Sequence, residues 1–227
     1  MKKKKNLSKN LVIFTLVFLI LMISLFILNK ATDKSSGNIA FDNQPTLENQ
    51  PILGKADAKV SIVEFGDYKC PACKAWGEQI FPRLTKDYID TGKVKFSYRN
   101  VTFHGEESKL ASIAAESVFA QDPQAYWTFH KEVFKAQPPE QSHDDAWITP
   151  EKLLGIAKSY TPQIDLKKLE EDIKNQTTLP QVNQDISLGE EFNVQNTPSI
   201  IVNGTMVANP FDYDNLVSII EQGLGGQ

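Results

Sequence analysis

Cysteine is nearly absent from this chain: its 227 residues hold two, Cys70 and Cys73. So small a number excludes a disulfide framework and a four-cysteine metal site. A mixed zinc site would need further ligands from His104, His130 and His143, the only histidines, and these show no paired spacing. A structural bridge between Cys70 and Cys73 would contribute almost nothing, because the entropy removed from the unfolded chain falls with loop size. Internal repeats and EF-hand spacing are missing as well. Excess positive charge is confined to the amino terminus. Residues 1–30 carry six lysines and no acid, which leaves 18 basic against 28 acidic groups in the remainder, a formal charge of −10. That balance argues against nucleic acid as a partner.

One long apolar run is present. Leu11 to Leu28 is an uninterrupted stretch of 18 residues whose only polar members are Thr15 and Ser24. At about 1.5 Å per residue it makes about 27 Å of helix, close to the hydrocarbon thickness of a bilayer. Residues 1–10 form a basic segment that the positive-inside rule keeps cytoplasmic. The run exceeds a signal-peptide core, and Asn29-Lys30-Ala31 is a poor cleavage site. The sequence therefore predicts a single-pass anchor over 11–28, with a cleaved leader as the alternative. Either one exports the remaining chain. Residues 29–50 are polar and aperiodic, and read as a flexible tether.

From residue 51 the pattern is globular. Val60-Ser61-Ile62-Val63-Glu64-Phe65 is β-branched and bounded by Gly66 and Asp67, a buried strand. Helical spacing follows from Pro71 to about Ile89, with a kink expected at Pro82, and Gly92 leads into a strand over 93–99. Strand–helix–strand is a right-handed βαβ unit. Cys70 lies at the mouth of this helix, where free N–H groups and the positive dipole end make a thiolate cheap to form. Pro71 suits the first helical position. Cys73, one turn in, is more buried. A nucleophilic thiol with a resolving thiol behind it is what disulfide exchange requires.

Late in the chain, Thr197-Pro198 precedes an apolar strand over 199–202. Asn203-Gly204 signals a tight hairpin, 205–207 supplies the return strand, and Asp212 caps a helix stopped by Gly223. Cys70-Pro71-Ala72-Cys73, the Thr-Pro before a hairpin and the order β-α-β … β-β-α together resemble the thioredoxin fold. Glu64, six residues before the first cysteine, and the insertion between the halves resemble the DsbA subfamily. The expected architecture is α/β, a thioredoxin-like domain of 51–104 and 193–227 with a helical insertion over 105–192.

The resemblance implies a disulfide between Cys70 and Cys73 in the oxidised enzyme, and activity that introduces disulfides into unfolded exported proteins. It implies reoxidation by a DsbB-like membrane quinone reductase, a monomeric protein, and no required cofactor. It further implies a cis Thr197–Pro198 bond against the dithiol, where an ordinary trans turn is the plain alternative. Glu64 would be a buried carboxylate relaying the proton of Cys73; its alternative is a solvent-facing strand residue. Ala72 stands where the best-known DsbA proteins carry His, which lowers the expected oxidising power. A tethered reductase or isomerase of the same fold, and an anchored binding module with an idle dithiol, are the competing readings.

The insertion reads as helices, with Tyr126, Trp127, Phe129, His130, Val133 and Phe134 as a core stripe and Thr149-Pro150 and Asp165 as helix starts. The three histidines read as structural or surface groups. Glu106-Glu107, Asp144-Asp145 and Glu170-Glu171-Asp172 read as solvated faces. Glu116, Asp122 and Asp185 are candidate ligands for a structural Ca²⁺.

Overall fold

A strand with no polar face has to lie inside a sheet covered on both sides. All seven residues of Val60–Gly66 are buried, and the sheet is built around them. The computed structural model describes residues 12–19, 21, 22, 24, 37–138 and 146–225. It divides into two units, Met1–Gly37 and Asn38–Gln227. In the first, residues 12–19, 21, 22 and 24 are helical. Among the described residues no helix is long and apolar enough to cross a membrane. The rest of the expected 11–28 anchor, and the basic segment before it, lie outside the described residues.

Among the described residues the second unit contains six strands: β1 (Ile39–Ala40), β2 (Ile52–Gly54), β3 (Val60–Gly66), β4 (Val94–Asn100), β5 (Ser199–Val202) and β6 (Thr205–Met206). Their order in the sheet is β1-β6-β5-β3-β4-β2. β3 runs parallel to β4, with Val60 opposite Val94, and antiparallel to β5, with Ile62 opposite Val202. Alternation along β3 divides the interior. Val60 and Ile62 pack with Trp76, Phe96 and Ile220, whereas Val63 and Phe65 pack with Val101, Phe192 and Ile201. At the β5–β6 turn Asn203 and Gly204 both take positive φ, 43° and 82°, the backbone a two-residue hairpin demands.

The helix behind β3 forms in three pieces: α1 (Pro71–Gln79), α2 (Phe81–Leu84) and a π-helical turn over Thr85–Ile89. Pro82 has no N–H and its ring crowds the carbonyl four residues back, so the break falls at Ile80. The insertion follows β4 as α3 (Glu106–Gln121), α4 (Pro123–Lys135), α5 (Pro150–Tyr160), α6 (Leu166–Asn175) and α7 (Leu179–Glu191). Asp122, Thr149 and Asp165 cap α4, α5 and α6 by accepting backbone N–H groups. The insertion's core reaches back to Tyr68 and Tyr98, next to the site. Gly66 permits this, since a Cβ there would lie 2.4 Å from the Tyr98 ring. The last helix, α8 (Tyr213–Leu224), is capped by Asp212 and ends at Gly225. Gly223, expected to stop it, is inside it.

One reading of the sequence needs correction here, and one element escaped it. The tether expected over 29–50 is not free from Asn38 onward. β1 pairs with β6, Asn38 and Asn215 exchange side-chain hydrogen bonds, and Phe41 packs edge-on against Phe192 at 5.0 Å. Two apolar residues in a polar stretch are too few to register as a period, yet enough to fill a sheet edge. β2 escaped notice for the same reason: a three-residue edge strand shows no alternation. The prediction is that Phe41→Ala lowers stability in urea denaturation by about 1–2 kcal/mol, roughly half the cost at a fully buried Phe. A change within error would show that the segment merely lies on the surface.

Candidate active site

Strand β3 ends at Gly66, and the turn Asp67–Cys70 delivers the chain to α1. Cys70 is the N-cap residue and Pro71 opens the helix. Cys70 and Cys73 are both free thiols and both buried, the second at 1% exposure. They differ in what they touch. The hydrogen bond from the Cys73 thiol, opposed by burial and supported by Thr197 and by the N–H groups of Cys73 and Ala72, brings the Cys70 pKa down to about 6. Burial, the hydrogen bond to Cys70 and the charge of Cys70 push Cys73 well up. One sulfur is a thiolate at neutral pH; the other keeps its proton.

The Thr197–Pro198 peptide is cis, the form the resemblance implies. The Thr197 carbonyl lies 3.5 Å from the Cys70 sulfur and accepts its S–H when the thiol is protonated. Glu64 is 4% exposed on β3, so the solvent-facing alternative falls. Burial, and after it the charge of Cys70, raise its pKa well above the ordinary carboxylate range, so Glu64 carries a proton beside the dithiol.

These residues lie within a recognisable family pattern. The thioredoxin family pattern matches residues 46–222. Over 191 residues, 84% of each chain, the protein is 45% identical to disulfide bond formation protein D of Bacillus subtilis. It is 36% identical over 226 residues, 99% of each chain, to the probable disulfide bond formation protein D of Bacillus anthracis. The crystal structure of oxidised BdbD from Bacillus subtilis superposes with a TM-score of 0.78, covering 83% of this chain and all of that one. Chlamydia trachomatis DsbA follows with a TM-score of 0.68 at 25% identity, covering 81% and 96%. The chain belongs to the DsbA-like thioredoxin family. It is a thiol:disulfide oxidoreductase with Cys70–Cys73 as its CxxC pair.

In this DsbA-like protein the turn before the dithiol is held by residues the sequence did not single out. Asp67, fully buried, accepts the backbone N–H of Lys69 at 2.8 Å, and its other oxygen receives the His104 N–H and lies 2.8 Å from the His104 ring. Gln137, at the end of α4, donates to the carbonyls of Tyr68 (3.0 Å) and Cys70 (3.3 Å). Lys69 pairs with Glu107 at 2.8 Å, and the second Glu107 oxygen accepts the N–H groups of Trp147 and Ile148, both at 2.7 Å. Burial pushes Glu107 up, but Lys69 and those two N–H groups outweigh it and hold it below its usual value. Glu107 is therefore no solvated face, although Glu106 beside it is exposed and pairs with Lys109. Asp172 is likewise buried, bound to Ser117 and Lys168. His130 is structural: its ring lies 2.9 Å from the Tyr68 hydroxyl, and burial brings its pKa down to about 3. His143 and Asp144-Asp145 lie outside the described residues. Nothing in local spacing marks Gln137.

The three candidate Ca²⁺ ligands do not stay together. Asp122 is committed to capping α4 and receives Gln163. Glu116 and Asp185 converge on the Asn100 amide, each accepting it at 2.8 Å, while Asp185 also takes Arg99 at 2.8 Å and Gln50 at 3.2 Å. Burial and the charge of Asp185 raise Glu116 to about 8, against the pull of Asn100 and Arg99. The side-chain carbonyls of Gln50 and Asn100 are buried without partners. Two carboxylates and two unsatisfied amide oxygens are hard-oxygen donors of the kind Ca²⁺ takes. Among the described residues no group of three or more His, Cys, Asp or Glu gathers around a metal position.

Two outcomes are expected. Iodoacetamide alkylation of the reduced protein should show Cys70 reacting with a midpoint near pH 6, while Cys73 stays inert through neutrality; a Cys70 midpoint near 9 refutes the asymmetry. Gln137→Leu should cost about 1–3 kcal/mol in chemical denaturation, because the Tyr68 carbonyl loses its side-chain donor and the Cys70 carbonyl keeps only the Lys74 N–H.

Proposed function

We propose that the protein oxidises thiols of unfolded exported proteins. The reading rests on one observation, the unequal acidity of the two sulfurs. A Cys70 thiolate that forms near pH 6 stabilises the dithiol relative to the disulfide, which is the bias of an oxidant. By linkage, the reduced form's advantage is complete above about pH 9, declines through neutrality and is lost as pH falls through about 6.

The exchange begins with the Cys70–Cys73 disulfide. A substrate thiolate attacks the Cys70 sulfur, a mixed disulfide forms, and Cys73 leaves with the electron pair and takes the proton of Glu64. A second substrate thiolate attacks the substrate's own sulfur in that bond, and Cys70 departs as its stabilised thiolate. Thr197 and Pro198 offer an extended substrate a strand-like edge beside Cys70. Pro71 and Ala72 complete the helix mouth. Turnover needs a partner that removes two electrons from the dithiol, a membrane quinone reductase of the DsbB kind. A membrane anchor over 11–28 would keep the domain close to it. The described part of that segment supports the anchor, since Val12, Ile13, Phe14, Leu16, Phe18 and Leu19 are all more than half exposed.

The competing reading, a reductase or isomerase, is separated by equilibration with glutathione. With Ala72 in place of His, a potential of about −150 to −180 mV is expected, some 30–60 mV below the strongest oxidants, and the reduced form should melt higher. A potential near that of thioredoxin, about −270 mV, would assign the protein to reduction. Cys70→Ser should abolish oxidation of a reduced, exported substrate.

A structural Ca²⁺ held by Glu116, Asp185 and the amide oxygens of Gln50 and Asn100 is part of the proposal. It would neutralise two buried carboxylates beneath β4 and supply no redox chemistry. Calcium at a hundredfold over its Kd should stabilise the protein by about 2.7 kcal/mol relative to chelator, and Glu116→Gln should remove that gain. Equal melting temperatures in calcium and chelator would reduce the cluster to a hydrogen-bonded network.

A further inference from the structure

Behind the dithiol lies a cavity of about 610 Å³, between α1 and α4, within the range of small-molecule sites. Trp76, Phe81, Phe96, Trp127 and Phe134 form its walls, and Glu64 and Cys73 reach its lining from the active site. Cys70, Thr197 and Pro198 are not part of it, so an occupant would leave the substrate face open. Two irregularities in one helix border the cavity. The break at Ile80 and the π-helical turn over Thr85–Ile89 replace a continuous α-helix on that side, and π turns concentrate at functional sites. Thr85 lines the cavity with a buried hydroxyl that has no hydrogen-bond partner.

Charge is distributed unevenly across this cavity. Four lysines belong to it, Lys74, Lys86, Lys131 and Lys135, against the acids Glu78 and Asp90. Lys74 is held by the Gln137 carbonyl and Lys135 by Glu132. Lys86 and Lys131 are exposed and form no ion pair among the described residues. The inner end holds Glu64 and Cys73, both of which burial keeps protonated. An occupant thus meets an uncharged, aromatic interior and a cationic mouth.

We infer that this cavity binds a single-chain anionic amphiphile, with the apolar tail against Trp76, Phe96 and Trp127 and the anionic head at Lys86 and Lys131. The head is a carboxylate or a phosphate, and the source accordingly a free fatty acid or a lysophospholipid. A cationic amphiphile would be repelled at the mouth.

The test uses residues 38–227, the compact unit; the crystallised Bacillus subtilis chain aligns along its whole length with 83% of this one. Sodium decanoate, decanoyl lysophosphatidylglycerol and decyltrimethylammonium are titrated below their micellar concentrations, by calorimetry and by tryptophan fluorescence. Two of the three tryptophans, Trp76 and Trp127, line the cavity and report occupancy. The expected result is saturable one-site binding of at least one anion, at least about tenfold tighter than the cation. The tighter anion identifies the head group. Gly77→Phe should weaken binding at least about tenfold, because a Cβ at this lining position meets no atom within 4 Å and the ring beyond it takes up cavity space. Lys131→Glu and Lys86→Glu, both exposed, should each weaken it about two- to fivefold, the worth of one surface charge pair. Non-saturable heats, equal affinity for the cation, or binding unchanged in Gly77→Phe with both charge reversals would overturn the inference. None of these readouts depends on the redox potential, so the site and the oxidase reading fail separately.

Discussion

The unequal acidity of two neighbouring sulfurs is the constraint on which this site depends. By donating its proton toward Cys70, Cys73 makes the front sulfur an inexpensive anion and becomes an expensive one itself. Everything around the pair preserves that inequality. The helix mouth presents the N–H groups of Ala72 and Cys73 to Cys70, while Cys73, one turn in, is 1% exposed. A symmetric environment would leave two ordinary thiols and a disulfide with no preferred point of attack.

Much of this was legible before the fold was known, because the chemistry depends on short-range signals. Pro71 behind Cys70, a β-branched run before it and Asn203-Gly204 after Thr197-Pro198 each act within a few residues, and each formed as read. The illegible part is long-range. Gln137 lies 67 residues from the Cys70 carbonyl it binds, and Glu107 lies 38 from Lys69. Such pairings depend on how the insertion folds back, which no local period encodes. Glu107 was misread because two adjacent acids at a helix start look like a solvated turn. Only one of them, Glu106, is solvated. Asp122 was misread for the opposite reason: its local role as a helix cap is complete, leaving nothing for a metal.

The carboxylates held inside the fold or at its inner contacts separate into two kinds by their company. Glu107 and Asp172 face cations and N–H donors and are held ionised. Glu64 and Glu116 lie among hydrophobic or like-charged neighbours and are driven toward the neutral acid. The first kind fastens elements together. The second holds protons, and a proton held in a dry place is available for chemistry or for exchange with a cation.

Glu107 carries a consequence for the way the molecule breathes. One carboxylate grips Lys69, just before the dithiol, and the backbone of Trp147 and Ile148, just before α5. Amide hydrogens in the Tyr68–Cys70 turn should therefore exchange with solvent in the same sub-global opening as those at the start of α5, as one foldon. The helical insertion is then no detachable lid on an older scaffold: excising it would unclasp the redox turn along with it.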